Sequence, residues 1–116
     1  MNIQIFGTKK SSDTRKAERW FKERRIKFQS IDLMDKGISR GELRGVAQAC
    51  GGLDALLDES CRDRDALAMV RCIAATQREE ALLERPQVLK QPIVRNGKKA
   101  AVGYCPEVYL SWLDQE

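Results

Sequence analysis

Histidine is absent from all 116 residues. That removes the side chain most often used as a general base near neutral pH, and a common zinc ligand. The four cysteines, Cys50, Cys61, Cys72 and Cys105, are too widely spaced for any C-x-x-C pair. A zinc finger and a dithiol redox motif are excluded with it. Proline occurs three times, as Pro86, Pro92 and Pro106, and there is no repeat, low-complexity tract or linker. Long apolar runs are also missing. The stretch Met1–Phe6 is too short for a signal-peptide core, and nothing approaches the roughly 20 apolar residues of a spanning helix. The expectation is a cytoplasmic protein, without membrane association, whose thiols stay reduced.

What remains is ordinary globular material, 42% hydrophobic and 33% charged. Its length suits one domain over residues 1–116, with a core large enough to need no disulfide or metal. The net charge of +4 does not by itself imply nucleic acid, and no direct nucleic-acid binding and no metal are expected. The charge is uneven: from Lys9 to Lys27 there are nine basic residues against three acidic ones. Such a segment is either a solvated helix face or a surface that attracts an anion or an acidic partner.

Asn2–Phe6 alternates and is β-rich, predicting a first strand. Gly7–Ser12 is a polar loop. A helix follows, capped from Ser11, Ser12 or Asp13 and reaching about Arg25, with Ala17, Trp20 and Phe21 on its inner face. Ile26–Leu33 alternates again, completing a βαβ unit. Ser39 and Glu42 form a capping-box pattern, and Ile38 and Leu43 take the positions of a hydrophobic staple. Gly51-Gly52 ends that helix. Leu53–Glu84 predicts several short helices, broken near Asp58–Arg64 and Ala75–Gln77 and closed by Pro86. Two short strands, Gln91–Val94 and Ala100–Val102, flank Asn96-Gly97, a strong hairpin signal. Pro106 opens a last helix that buries Val108, Tyr109, Trp112 and Leu113. Helices on a small mixed sheet of about four strands make an α/β sandwich.

This order resembles the arsenate reductase (ArsC/Spx) family, whose fold is thioredoxin-like. Four stretches carry the likeness: residues 6–17, from Phe6-Gly7-Thr8 to Arg15-Lys16-Ala17; residues 31–39, from Ile31-Asp32-Leu33 to Ile38-Ser39; residues 86–94, around Gln91-Pro92-Ile93; and residues 102–107, around Gly103-Tyr104-Cys105-Pro106. The resemblance covers nearly the whole chain. It implies a core over about residues 1–35 and 86–116, a helical insertion over about residues 39–85, and a cis peptide at Pro92.

It also implies a nucleophilic cysteine at the start of the first helix, and here that position is Ser11. A resolving cysteine three residues later, as in Spx-like members, falls on Thr14. The three arginines that hold the oxyanion in arsenate reductases fall on Ser60, Gln91 and Tyr104, which offer hydrogen bonds without charge. No cysteine precedes Cys50, so no shift of register restores the nucleophile. A serine without a histidine base is poorly activated, and N-capping is its simplest role.

Two functional readings follow. The first is a non-catalytic binding or regulatory module, a monomer whose partner would be RNA polymerase if it acts as Spx-like proteins do; the basic first helix and the Gly51-Gly52 turn are candidate parts of its surface. The second is a thiol oxidoreductase, working with glutathione or on arsenate, through a relocated cysteine. Cys61 and Cys105 each lie one residue beyond a former oxyanion position and are its candidates, unless each is a small buried hydrophobe. Cys50 and Cys72 read as structural. Lys9 and Lys10, with Ser12, Arg15 and Pro92, form the candidate binding group beside the helix start, where lysines and free N–H groups suit an anion.

Overall fold

The computed structural model describes residues 1–114. Its elements run β1 (Ile3–Gly7), α1 (Ser12–Glu23), β2 (Phe28–Asp32), α2 (Arg40–Cys50), α3 (Arg64–Cys72), α4 (Ala75–Glu84), β3 (Ile93–Asn96), β4 (Lys99–Val102) and α5 (Pro106–Leu113). Short 3₁₀ turns lie at Leu53–Leu56 and Pro86–Val88. The sheet order is β2-β1-β3-β4. β1 runs parallel to β2, while β3 is antiparallel to both β1 and β4. This is the expected α/β sandwich on a mixed four-stranded sheet.

The alternation along each strand sorts the core into two faces. Ile3 and Ile5 of β1, Val94 of β3 and Ala101 of β4 pack with α1 and α5, burying Ala17, Trp20, Phe21, Tyr109 and Trp112. Phe6, Ile93, Ala100 and Val102 pack on the other face with α2, α3 and α4. Successive strand residues point to opposite sides, so a single strand feeds both clusters. Helices α2, α3 and α4 thus make one whole layer of the sandwich.

Local chemistry sets the boundaries. α1 ends in a Schellman pattern, with Arg25 N donating to Lys22 O and Ile26 N to Phe21 O. Arg25 takes φ 58° without being glycine, which costs about 1 kcal/mol. Ile26 is used in this helix end, so β2 begins at Phe28 rather than at Ile26. Ser39 and Glu42 complete the capping box reciprocally, and Ile38 and Leu43 are both buried in the same cluster. The second break in the helical region falls at Ile73-Ala74, just before Ala75, because Asp63 caps α3 and Cys72 ends it. The hairpin is displaced by one residue from the Asn96-Gly97 reading. Asn96 pairs with Lys99, so Gly97 and Lys98 form the loop, and Gly97 alone takes a positive φ, 62°. β3 likewise starts at Ile93, since Gln91 and Pro92 precede the ladder. In α5, Tyr109 and Trp112 are buried, while Val108 and Leu113 pack at the margin.

Candidate functional site: the cleft at the start of the first helix

The site is built where β1 hands over to α1. Ser11 is extended, at φ −80° and ψ 117°, and its hydroxyl accepts a hydrogen bond from Thr14 N at 3.2 Å. Ser11 is therefore the N-cap. Thr14 is 4% exposed, and its Oγ1 has no partner. It lies against Gly7, where a Cβ would sit 2.3 Å from that oxygen. The first turn of α1 can approach β1 this closely because position 7 has no side chain.

The opposite wall comes from the segment before β3. The Gln91-Pro92 bond is cis, as expected. Pro92 is buried, and its carbonyl accepts from Gly103 N at 2.8 Å. Gln91 Oε1 accepts from both Thr8 N at 2.8 Å and Thr8 Oγ1 at 3.0 Å. This amide ties the β1–α1 loop to the cis-proline segment. The third wall is the loop between Leu57 and Asp63, where Asp58 Oδ1 accepts from Ser60 N at 3.0 Å and Ser60 Oγ at 2.8 Å. Ser11, Ser12, Asp13, Asp58, Ser60, Lys90 and Gln91 together enclose a cleft of about 330 Å³.

Three of the former nucleophile and oxyanion positions therefore meet here: Ser11, Ser60 and Gln91. Tyr104 does not. It follows Gly103, whose φ is 85°, and packs against the α1–α5 cluster with its ring centroid 6.2 Å from that of Tyr109. Burial of an aromatic face draws it there rather than to the cleft. Ser12 lies on the cleft. Arg15 does not reach it, because its guanidinium donates to Lys9 O and pins the loop. Lys9 and Lys10 open instead onto a neighbouring groove of about 580 Å³, with Thr8, Asp32, Met34, Arg62, Gln87 and Gln91.

Cys61 and Cys105, the two candidates for a relocated thiol, lie in different core clusters. Cys61 is 5% exposed within the cluster under the helical layer, its thiol donating to Gln87 O at 3.3 Å. Cys105 packs on the cluster across the sheet and donates to Val102 O at 3.4 Å. Burial pushes the Cys105 thiol above its ordinary range, with the Glu107 carboxylate adding to it and Lys90 opposing. Burial, and then Cys105, pushes Cys50 up as well. Cys72 corrects the reading from its apolar run: it is exposed, because α3 turns Ala66, Leu67 and Val70 inward instead.

Lys90 and Asp58 were missed. Lys90 is the one cation lining the cleft among the described residues. Its stem crosses Gly103, where a Cβ would lie 3.2 Å from Lys90 Cε. No local pattern marks that contact, which joins residues on two chain segments. Asp58 was legible as an Asp-x-Ser turn, in which a carboxylate accepts from a backbone N–H two residues on. Among the described residues, no group of three or more Cys, Asp or Glu is placed to hold a metal ion. None of the described helices is long and apolar enough to cross a membrane.

Comparison with known proteins agrees with this architecture. A solved arsenate reductase from Vibrio cholerae superposes with a TM-score of 0.81 at 23% identity, over 96% of this chain and 97% of that one. At that identity the likeness is one of fold. The global transcriptional regulator Spx 2 of Lactococcus lactis is 26% identical over 113 residues, covering 96% of this chain and 86% of its own length. The regulatory protein MgsR of Bacillus subtilis is 28% identical over 94 residues, 79% of this chain and 75% of its own. The ArsC family as a whole matches residues 6–112, from the end of β1 into the last turn of α5, and the chain belongs to that family.

Proposed function

We propose that this chain is a binding or regulatory module of the Spx kind, directed at RNA polymerase, and that it does not reduce arsenate. One observation carries the reading: at the position of the family's nucleophile, Ser11 spends its oxygen capping Thr14 N. A helix start and a nearby lysine lower the pKa of a thiol into a useful range, but a hydroxyl begins far higher and needs a base. The chain has no histidine to be that base. The former oxyanion positions are also occupied otherwise. Ser60 donates to Asp58, and Gln91, its carbonyl held by Thr8, has only a neutral NH₂ to offer. Among the described residues lining the cleft, two carboxylates, Asp13 and Asp58, stand against one cation, Lys90. An incoming oxyanion would meet more negative charge than positive.

The regulator relatives support the binding half of the reading. The exposed, basic outer face of α1 and the Gly51-Gly52 turn offer surface for it. Both glycines hold positive φ, 95° and 126°. The alternative, a glutathione-linked thiol oxidoreductase using Cys61 or Cys105, is less well supported. The first thiol is buried and the second is pushed away from ionisation.

The test pairs two assays on the intact chain. Biolayer interferometry against purified bacterial RNA polymerase core should give saturable binding. A glutathione reductase-coupled assay should show no arsenate-dependent NADPH oxidation. Turnover of arsenate would overturn the non-catalytic half, and absence of polymerase binding would overturn the other.

A further inference from the structure

The groove next to the cleft has a composition that the cleft lacks. Its cations are Lys9, Lys10 and Arg62, all exposed. Among the described residues, none of the three forms an ion pair. Elsewhere the chain pairs its arginines freely, as Arg40 and Arg44 do with Glu79. Among the described residues the one carboxylate on the groove is Asp32, and its Oδ1 already accepts from Met34 N at 2.9 Å and Asp35 N at 3.3 Å. The groove is thus a place of uncompensated positive charge.

It also has an apolar and a polar component. Met34 is 52% exposed at its rim, one of three large hydrophobic side chains left that open among the described residues. Methionine is flexible and polarisable, and suits packing against an incoming aliphatic side chain. The lysine and arginine stems add more carbon to the wall. Two amide groups face the same space with one half of each unspent. Gln91 uses its carbonyl on Thr8 and keeps its NH₂. Gln87 uses its NH₂ on Asp63 and keeps its carbonyl. A free donor and a free acceptor on one groove can serve the main chain of an extended peptide. The loop that carries Lys9 is held by Arg15, so the site is largely preformed.

We propose that this groove takes an acidic segment of a protein partner, with an aliphatic side chain seated on Met34 and carboxylates facing Lys9, Lys10 and Arg62. The proposal rests on the reading of the chain as a protein-binding module and names where, and with what chemistry, that binding occurs. Single-stranded nucleic acid fits less well. Among the described residues the groove has no aromatic side chain on which a base could stack.

Fluorescence anisotropy with the labelled peptide GDELDELEG tests it on the full chain. Wild-type protein should bind the peptide, and added salt should weaken the complex. The double variant Lys9→Glu with Arg62→Glu should lose about tenfold or more, since two reversed rim charges together cost about one decade of affinity. Met34→Ala should weaken GDELDELEG and leave the leucine-free peptide GDEADEAEG unchanged. All three positions are exposed, and thermal melting of each variant checks that it folds. No binding at millimolar peptide, equal binding by wild type and the double variant, or tighter binding of oligothymidylate than of the peptide would each overturn the proposal. If the polymerase binds the double variant as it binds wild type, the groove assignment fails and the broader function stands. If the peptide binds and polymerase does not, the broader function fails and the groove stands.

Discussion

Gly7 and Thr14 are packed so closely that a methyl group on Gly7 would lie 2.3 Å from the Thr14 hydroxyl oxygen. That contact joins the end of β1 to the first turn of α1, and it leaves a buried hydroxyl without a partner. Two opposite effects follow from it. Gly7→Ala should destabilise by about 1–3 kcal/mol, because both backbones are fixed and an overpacked core relaxes poorly. Thr14→Val should stabilise by about 1 kcal/mol, since it removes an unsatisfied polar group while keeping the shape. Urea unfolding of both variants checks this. A loss of stability in Thr14→Val would mean the hydroxyl has a partner such as water.

Ser11 gives a second pair of outcomes. Ser11→Ala removes the cap on Thr14 N and should cost about 1 kcal/mol in thermal or urea unfolding. Ser11→Cys should create a thiol that alkylates at a pH below the ordinary thiol value of about 8.5, through the helix start and Lys90. It should still fail to reduce arsenate, because Gln91 and Ser60 are neutral and Lys90 alone faces the carboxylates of Asp13 and Asp58 among the described residues lining the cleft. Arsenate turnover by that single variant would show that the two neutral side chains suffice.

Cysteine reactivity in the reduced native chain should follow burial. Cys72 is exposed and should alkylate first. Cys50 and Cys105 are half-buried with raised thiol pKa values, so both should lag at neutral pH and accelerate on the alkaline side. Cys61 should react only as the protein opens. Mass spectrometry of the four sites over a pH series reads the order. Early labelling of Cys105 near neutral pH would revive the oxidoreductase reading.

The α2–α4 contact should depend on acid. Arg40 and Arg44 both donate to Glu79, and these hydrogen bonds, Arg44's first, hold its carboxyl below the ordinary glutamate range. A depressed folded pKa means that the unfolded state binds the proton first as pH falls. The stabilisation is therefore full above the ordinary value of about 4.3 and fades as pH drops through the lowered one. Asp63, which caps α3 through Ala66 N, shifts the same way and adds to the loss. Glu79→Gln should flatten the acid side of the stability curve, measured by urea unfolding from neutral to acidic pH. An unchanged slope would mean that the pairs contribute nothing in solution.

Much of this was legible in the linear chain because it is short-range chemistry. The Ser39–Glu42 box, the Ser11 cap, Pro106 at the start of α5 and the apolar faces of α1 and α5 each depend on residues within about two turns. The lack of histidine and of any cysteine before Cys50 is likewise read directly from the linear chain. The site itself depended on distant partners. Tyr104 turns into the α1–α5 cluster, Cys61 and Cys105 fall on opposite faces of the sheet, and Lys90 crosses Gly103 to reach the cleft. Gln91 meets Thr8 across 83 positions of sequence. The physical reason is the strand order β2-β1-β3-β4, which places the β1–α1 loop beside the segment before β3. Local hydrogen bonds and periodicity fix where an element starts and which face it buries. Which loops converge, and which side chains then have room to turn inward, is decided by packing the whole sheet and its two helical layers together.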